Sequence, residues 1–326
     1  MSTLPDPIIY AIPVFILLLM VEIVAAWRGY PERFESRDTF TSLALGTGSQ
    51  VMGAAVGGVV VAIAIWANHY QLLNIGLDFK SFWWAWILCF FLDDLAYYAF
   101  HRSAHRVRWF WASHVIHHSS QHYNLSTALR QTWTGFFSLT FIFRLPLFFL
   151  FPMEMIFFCG AVNLIYQFWI HTEMIGRMPR WFEAVMNTPS HHRVHHGVNP
   201  RYLDANYAGV FIIWDRMFGT FAPERDDEPV RYGIVQQLGS FNIFWAAVHE
   251  WVGIGKDVWA APWRHKLSYM VREPGWSHDG SRLTSAMIKQ RWAAGRERNG
   301  SAAAASIQPI KATREQQNSR HLLQKQ

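Results

Sequence analysis

Cysteine is nearly missing from this chain. The two present, Cys89 and Cys159, each lie inside an apolar run, which excludes a disulfide framework and a thiolate metal site and leaves both as packing residues. The N-terminus lacks the basic region and cleavage site of a secretory signal peptide, so the first apolar run is expected to persist as an anchor. No internal repeat is found, which removes the usual sign of a transporter built from duplicated halves. A glutamate between closely spaced histidines is also missing. In His101-Arg-Ser-Ala-His105 the intervening positions hold Arg102, Ser103 and Ala104, so a zinc hydrolase of the H-E-x-x-H kind lacks its general base.

Long apolar runs are what the chain has instead. Its 326 residues would allow two soluble domains by length, but 51% are hydrophobic and these cluster. A spanning helix needs roughly 20 mostly apolar residues. Candidate spans are Ile8 to Trp27, Ser42 to Trp66 with Gly53-x-x-x-Gly57 inside it, and Ser81 to Phe100, interrupted by Asp93 and Asp94. The two glycines suggest close helix packing. From Gly135 to Ile170 run 36 mostly apolar residues, broken by Arg144, Pro146 and Pro152. That length is too great for one span and predicts a tight helical hairpin. The 17 Trp and 25 Phe fit a membrane protein, whose aromatic rings gather at the lipid–water boundary.

Lys and Arg in short loops set the orientation. Arg28, Arg33 and Arg37 follow the first span, only Lys80 follows the second, and Arg102, Arg106, Arg108 and Arg130 follow the third. The N-terminus is then outside, and both histidine-rich segments share the cytoplasmic face. The expected fold is an all-α integral membrane protein, multi-pass, with about three spans plus a helical hairpin and a cytoplasmic helical histidine-box cap. Residues 1–240 are expected to form the membrane-embedded domain and 241–298 a peripheral segment, with Phe241 to Trp251 as an amphipathic surface helix and a basic stretch at Arg264, His265 and Lys266. The Ala/Gln/Ser-rich tail, 299–326, is expected to be disordered.

Eleven of the 16 histidines fall between 101 and 196. The first box is His101-Arg-Ser-Ala-His105, with imidazoles one turn apart on one helical face. The second is His114-Val-Ile-His117-His118, and the third, His192-Arg-Val-His195-His196, repeats it. His171 closes the hairpin. A lone histidine is usually only a satisfied polar residue, but eight in three boxes at helical spacing point to metal. One ion accepts about four to six donors, so two ions are implied. Imidazole suits Zn, Cu, Fe and Ni alike. The boxes begin where the spans end, which suits redox chemistry at a membrane surface, with iron leading. Asp94 lies seven residues before His101 on the same face and is placed behind a ligand, accepting its free N–H, with a snorkelling or interhelical polar contact as the alternative; Asp93 is one residue off that face. His191 and His122 are left outside the ligand set, and His69, His249, His265, His278 and His321 are isolated. A non-catalytic membrane metal protein, for storage or sensing, is the rival from another class. No nucleic-acid partner is expected.

The same boxes resemble those of the fatty acid hydroxylase/sterol desaturase superfamily of integral membrane di-iron enzymes. Within it, His117-His118-Ser-Ser-Gln-His-Tyr-Asn-Leu-Ser-Thr-Ala-Leu-Arg-Gln131, Asn187-Thr-Pro-Ser-His-His-Arg-Val-His-His-Gly197 and the run from Asn206 to Phe221 are similar to the alkylglycerol monooxygenase branch. The resemblance covers roughly residues 93–221. It implies that His101, His105, His114, His117, His118, His192, His195 and His196 bind two iron ions, and that O2 is cleaved there to hydroxylate or desaturate a C–H bond of a membrane lipid. His171 matches the histidine after the hairpin. The branch implies an ether-lipid substrate and tetrahydrobiopterin as external reductant; a redox protein as electron donor is the alternative. The chain departs from the animal enzymes in lacking their extra spans after the last box.

Overall fold

Asp6 and Pro7 start the first helix of the computed structural model, which describes residues 4–306. The Asp6 side chain accepts from the Ile8 N–H at 2.9 Å and Pro7 needs no partner for its missing donor. Helix α1 (Pro7–Gly29) then runs apolar on nearly every side, with Ile9, Ile16, Leu17, Met20 and Val21 exposed. Its one buried acid, Glu22, is satisfied from the far side of the chain by the Leu125 N–H at 2.7 Å and by the Thr172 hydroxyl. Helix α2 (Ser36–His69) is capped by Glu35 and extends beyond the expected span at both ends. These two helices are long and apolar enough to cross a membrane. The third expected span lies within α3 (Phe79–Arg106), a single helix kinked at Phe82, whose Asp93 and Asp94 are wholly buried in the protein.

The small residues of α2 act elsewhere than expected. Gly53 and Gly57 face open space, so no close helix approach occurs there within this chain. The approach is made earlier. A Cβ on Gly46 would stand 2.5 Å from the Leu129 carbonyl oxygen, and one on Gly48 would stand 2.4 Å from the Trp133 ring. Trp133 seals that crossing by donating its indole N–H to the Leu45 carbonyl at 2.9 Å.

The hairpin expected over 135–170 is also corrected. Only its second half is a long helix, α7 (Met153–Trp169). The first half is an irregular arm of turns, a 3-10 turn at Thr140–Phe143 and the single-turn helix α6 (Leu145–Phe148). Arg144 leaves the arm to pair with Asp93, and Pro146 and Pro152 lack the N–H groups a continuous helix requires. Asn68 at the end of α2 donates to the Phe148 and Phe151 carbonyls at 3.0 and 2.9 Å, tying the arm down.

Helix α4 (Arg108–His118) turns straight back from α3. Short helices α5 (Leu125–Ala128), α8 (Arg180–Glu183), α9 (Pro189–His195) and α10 (Ile213–Met217) punctuate the loops that follow. The amphipathic helix expected near 241–251 is α11 (Ile243–Ala260). Its Ala246 and Ala247 pack with Leu45 and Ile116, and the buried Arg108 guanidinium pairs with Glu250 and Asp257, both at 2.6 Å. The opposite face keeps Phe244 and Trp259 exposed. Helix α12 (Ser268–Val271) follows, and residues 1–285 form one compact unit. Among the described residues a second unit begins at residue 286, within α13 (Ser285–Ser306). The tail expected to be disordered lies outside the described residues from 307. Among the described residues there are no strands, only two isolated bridges, Met186 with Phe211 and Arg225 with Glu228.

Candidate metal centre

Four pieces of chain converge to bring the histidines together. α3 supplies His101 and His105, α4 supplies His114, His117 and His118, His171 follows α7, and α9 with its C-cap supplies His192, His195 and His196. The result is two groups. His101, His105, His114, His118 and His195 form one; His117, His171, His192 and His196 form the other. Within each, the ligand-capable nitrogens all lie within 4.8 Å of one another. Each adjacent pair, 117/118 and 195/196, is divided between the groups. Consecutive helical residues point about 100° apart, so neighbours cannot reach one point but can serve two.

The rings are held from behind. Nδ1 of His101 contacts the Tyr207 carbonyl at 2.7 Å, Nδ1 of His195 the Ala205 carbonyl at 3.0 Å, Nδ1 of His171 the Gln167 carbonyl at 2.7 Å, and Nδ1 of His117 the Arg130 carbonyl at 3.3 Å. A carbonyl only accepts, so each Nδ1 carries the proton and Nε2 presents its lone pair inward. Those Nε2 atoms crowd each other. His101 and His114 approach at 2.9 Å, His114 and His118 at 3.0 Å, His118 and His195 at 3.1 Å, His171 and His192 at 3.0 Å. Lone pairs facing at that distance repel unless a cation or proton stands between them. The buried Nε2 atoms of His105 and His196 have no hydrogen-bond partner among the described residues. Both observations fit metal ions in the two groups.

Electrostatics favours a metal over protons. Burial first, and then the neighbouring imidazoles, hold His101, His114, His118, His171, His192, His195 and His196 well below the ordinary imidazole range. Burial likewise lowers His117, to about 4. Neutral imidazole is the ligating form. No carboxylate enters either group, and an all-imidazole set suits Fe, Zn, Cu or Ni rather than Mg or Ca.

Residues outside the groups sort as follows. His191 is buried but stands 3.9 Å from Glu183, and half-buried His122 stands 3.7 Å from Asp38. His69, His249, His265 and His278 belong to neither group, and His321 lies outside the described residues. Asp94 requires a correction. Its oxygens accept from the Val210 N–H at 2.8 Å, the Phe211 N–H at 2.9 Å, the Trp214 indole at 2.9 Å and the Asn163 amide at 2.9 Å. His101 turns its Nδ1 to Tyr207 instead, so the carboxylate holds the loop that holds the histidine. Asp215 grips the same loop through the Tyr207 and Ala208 N–H groups, both at 2.8 Å.

That loop is what reading the sequence missed. Asp204 and Asn206 adopt left-handed backbone, φ 50° and 57°, which side chains other than glycine tolerate best as Asn or Asp. On either side of Asn206, the carbonyls of Ala205 and Tyr207 point to His195 and His101. Asn206 is locked by its amide, which donates to the His191 and Ala222 carbonyls at 3.0 and 2.7 Å. Aromatic rings close the surroundings. Tyr123 stacks on His171 at 5.7 Å and Tyr97 lies 5.3 Å from His101.

Comparison with known proteins agrees with this geometry. The family model described as fatty acid hydroxylase matches residues 86–220. Alkylglycerol monooxygenase of Xenopus tropicalis is 44% identical over 285 residues, 86% of this chain and 61% of that protein. The Homo sapiens protein of the same name is 40% identical over 289 residues, 87% of this chain and 63% of that protein. Ornithine lipid hydroxylase OlsE of Rhizobium tropici is 26% identical over 179 residues, 51% of this chain and 54% of that one. The chain thus spans about three fifths of the length of the alkylglycerol monooxygenases. No solved structure matches it. The segment that holds all nine grouped histidines lies within the match to the fatty acid hydroxylase model, in a chain similar over most of its length to alkylglycerol monooxygenases.

Proposed function

We propose that this protein is an oxygen-dependent membrane lipid hydroxylase with two iron ions, one in each histidine group. The observation that carries the reading is the division of nine imidazoles, seven of them buried, into two groups, with neighbouring residues shared out between them. Iron bound there supplies the power to activate O2 and attack a C–H bond, which no side chain can do. One oxygen atom enters the lipid C–H bond and the other leaves as water, with two electrons and two protons from an external reductant. Tetrahydrobiopterin or a redox protein fills that role.

The chain's own residues do the rest. The carbonyls of residues 205 and 207 keep the rings of His195 and His101 turned, so their lone pairs need no reorganisation. Tyr97, Phe100 and Trp111 surround the first group with apolar surface and limit water. A wholly apolar groove of about 310 Å³, walled by Trp86, Phe90, Phe91, Phe158, Val162 and Phe211, opens between α3 and α7; it suits an acyl or alkyl chain. The relatives' names favour an alkylglycerol ether lipid over a sterol or fatty acid, and hydroxylation over desaturation. α1, α2 and the apolar part of α3 are the spans, with the metal centre facing the cytoplasm.

The test combines metal analysis with lipid mass spectrometry under ¹⁸O2. About two irons per chain and one labelled oxygen in the product are expected. Loss of two hydrogens without label would make the enzyme a desaturase. Metal binding with no O2 consumption, given either reductant, would leave a storage or sensing protein.

A further inference from the structure

Of the nine grouped histidines, seven are buried and two are half-buried: His114 in the first group and His117 in the second. Both lie on α4, the least buried edge of the two groups. The arm that follows Arg130 runs along this side. Phe143 on the arm lies 5.9 Å from Phe100 and 5.6 Å from Phe110, and Phe100 lies 6.2 Å from His114.

The residue after Phe143 is Arg144, and its setting is unusual. Nε donates to Asp93 at 2.6 Å and Nη2 to the other oxygen at 3.2 Å. Asp93 is completely buried, yet a third of the Arg144 side chain is accessible. Nη1 has no hydrogen-bond partner among the described residues, and it is not among the buried unpartnered atoms. The pair therefore shows its surroundings guanidinium donors and hides its carboxylate. Asp93, Tyr97 and His101 follow one another at four-residue intervals along α3, each step turning about 40° around the helix. Asp93, which holds Arg144, thus stands about two helical turns, about 12 Å along the axis, before the first histidine of the group.

An ion pair among apolar helices is costly to place and usually marks a functional position. Beside it the α3–α7 contact has an apolar core of Cys89, Met155, Ile156 and Cys159, and Asn163 on α7 donates to Asp93 at 3.5 Å. We propose that Arg144, charge-balanced by Asp93, is a polar subsite for the uncharged oxygen-bearing head of the lipid, its hydroxyl or ether oxygens. Asp93 cancels the guanidinium charge, so the subsite rewards a neutral acceptor and gives an anionic head little Coulomb gain. A bare hydrocarbon leaves the exposed donors unsatisfied. This inference rests on the reading of the site as one that accepts a lipid, and it adds which lipids are preferred.

The test is ligand binding to the metal-loaded, detergent-solubilised full chain. Thermal stabilisation is measured with 1-O-hexadecylglycerol, hexadecane and hexadecyl phosphate, each at the same mole fraction in the micelle. The parent should bind the alkylglycerol about tenfold more tightly than either other ligand. The double variant Asp93→Asn/Arg144→Gln, which keeps a neutral hydrogen-bonded pair, should lose that preference while retaining its metal. In turnover, the same variant should raise KM for the alkylglycerol more than it lowers kcat. Equal binding of alkylglycerol and hexadecane by the parent overturns the subsite, and so does an unchanged preference in the double variant. If the variant does not fold, the parent's ranking of the three ligands still decides. A parent that ranks the ligands as stated but never oxidises lipid refutes the hydroxylase reading and leaves the subsite standing.

Discussion

Replacing Asp94 by asparagine should loosen the metal centre without touching a ligand. One Asp94 oxygen accepts from the Val210 and Asn163 nitrogens, the other from the Phe211 and Trp214 nitrogens. An amide keeps one acceptor and turns an NH2 toward two donors. Two charge-assisted bonds at about 1.5–3 kcal/mol each are lost, about 3–6 kcal/mol in all. That is a large part of a folded domain's typical margin of about 5–15 kcal/mol. The change falls on the loop whose carbonyls orient His101 and His195. Metal affinity should therefore drop on the order of 10–100-fold, as for other groups behind a ligand. Iron retention during dialysis against a graded chelator, beside the thermal unfolding midpoint, measures both. Asp215→Asn grips the same loop and should behave alike. Full iron and an unshifted midpoint in Asp94→Asn would refute the idea that this loop is held by its acids.

His195→Ala removes a ligand from the five-histidine group and His117→Ala one from the four-histidine group. Each should lower bound metal and abolish lipid oxidation, while His265→Ala and His278→Ala leave both unchanged by metal analysis and turnover. Gly46→Ala should destabilise the solubilised protein because its Cβ meets a carbonyl oxygen at 2.5 Å, whereas Gly57→Ala faces open space and should not; thermal aggregation compares them. Arg108→Ala leaves Glu250 without its close partner while Asp257 keeps Arg282. Buried-pair losses of this kind cost about 3–5 kcal/mol, and α11 should become the first site of limited proteolysis. Reporter fusions after Phe100 and at the C-terminus should read cytoplasmic and one near Asn74 the opposite side; a C-terminal tag reached only from outside would end the proposed topology.

The histidine positions were legible because helical spacing is a local property. His101 with His105, and His114 with His118, are one turn apart in any helix, so a reader of residues can pair them before any fold is known. Which group each joins was not legible, since that depends on how α9 faces α4. Asp94 shows the limit more sharply. Its place on the face of His101 was correctly read, but the face of a helix does not say which loop comes to lie against it. The supports at Ala205 and Tyr207 are backbone carbonyls, which every residue has, so no residue type could announce them. The arm before Arg144 looked helical because it is apolar; its shape follows from a distant carboxylate on α3 and from two prolines.

The division of His117 from His118, and of His195 from His196, also governs how the centre responds to motion. In each pair the two residues are joined by one peptide unit, about 3.8 Å between Cα atoms. The separation of the two groups is therefore written in covalent bonds at two places and is not left to side-chain packing. If α4 or α9 breathes, both groups shift together and their spacing is preserved.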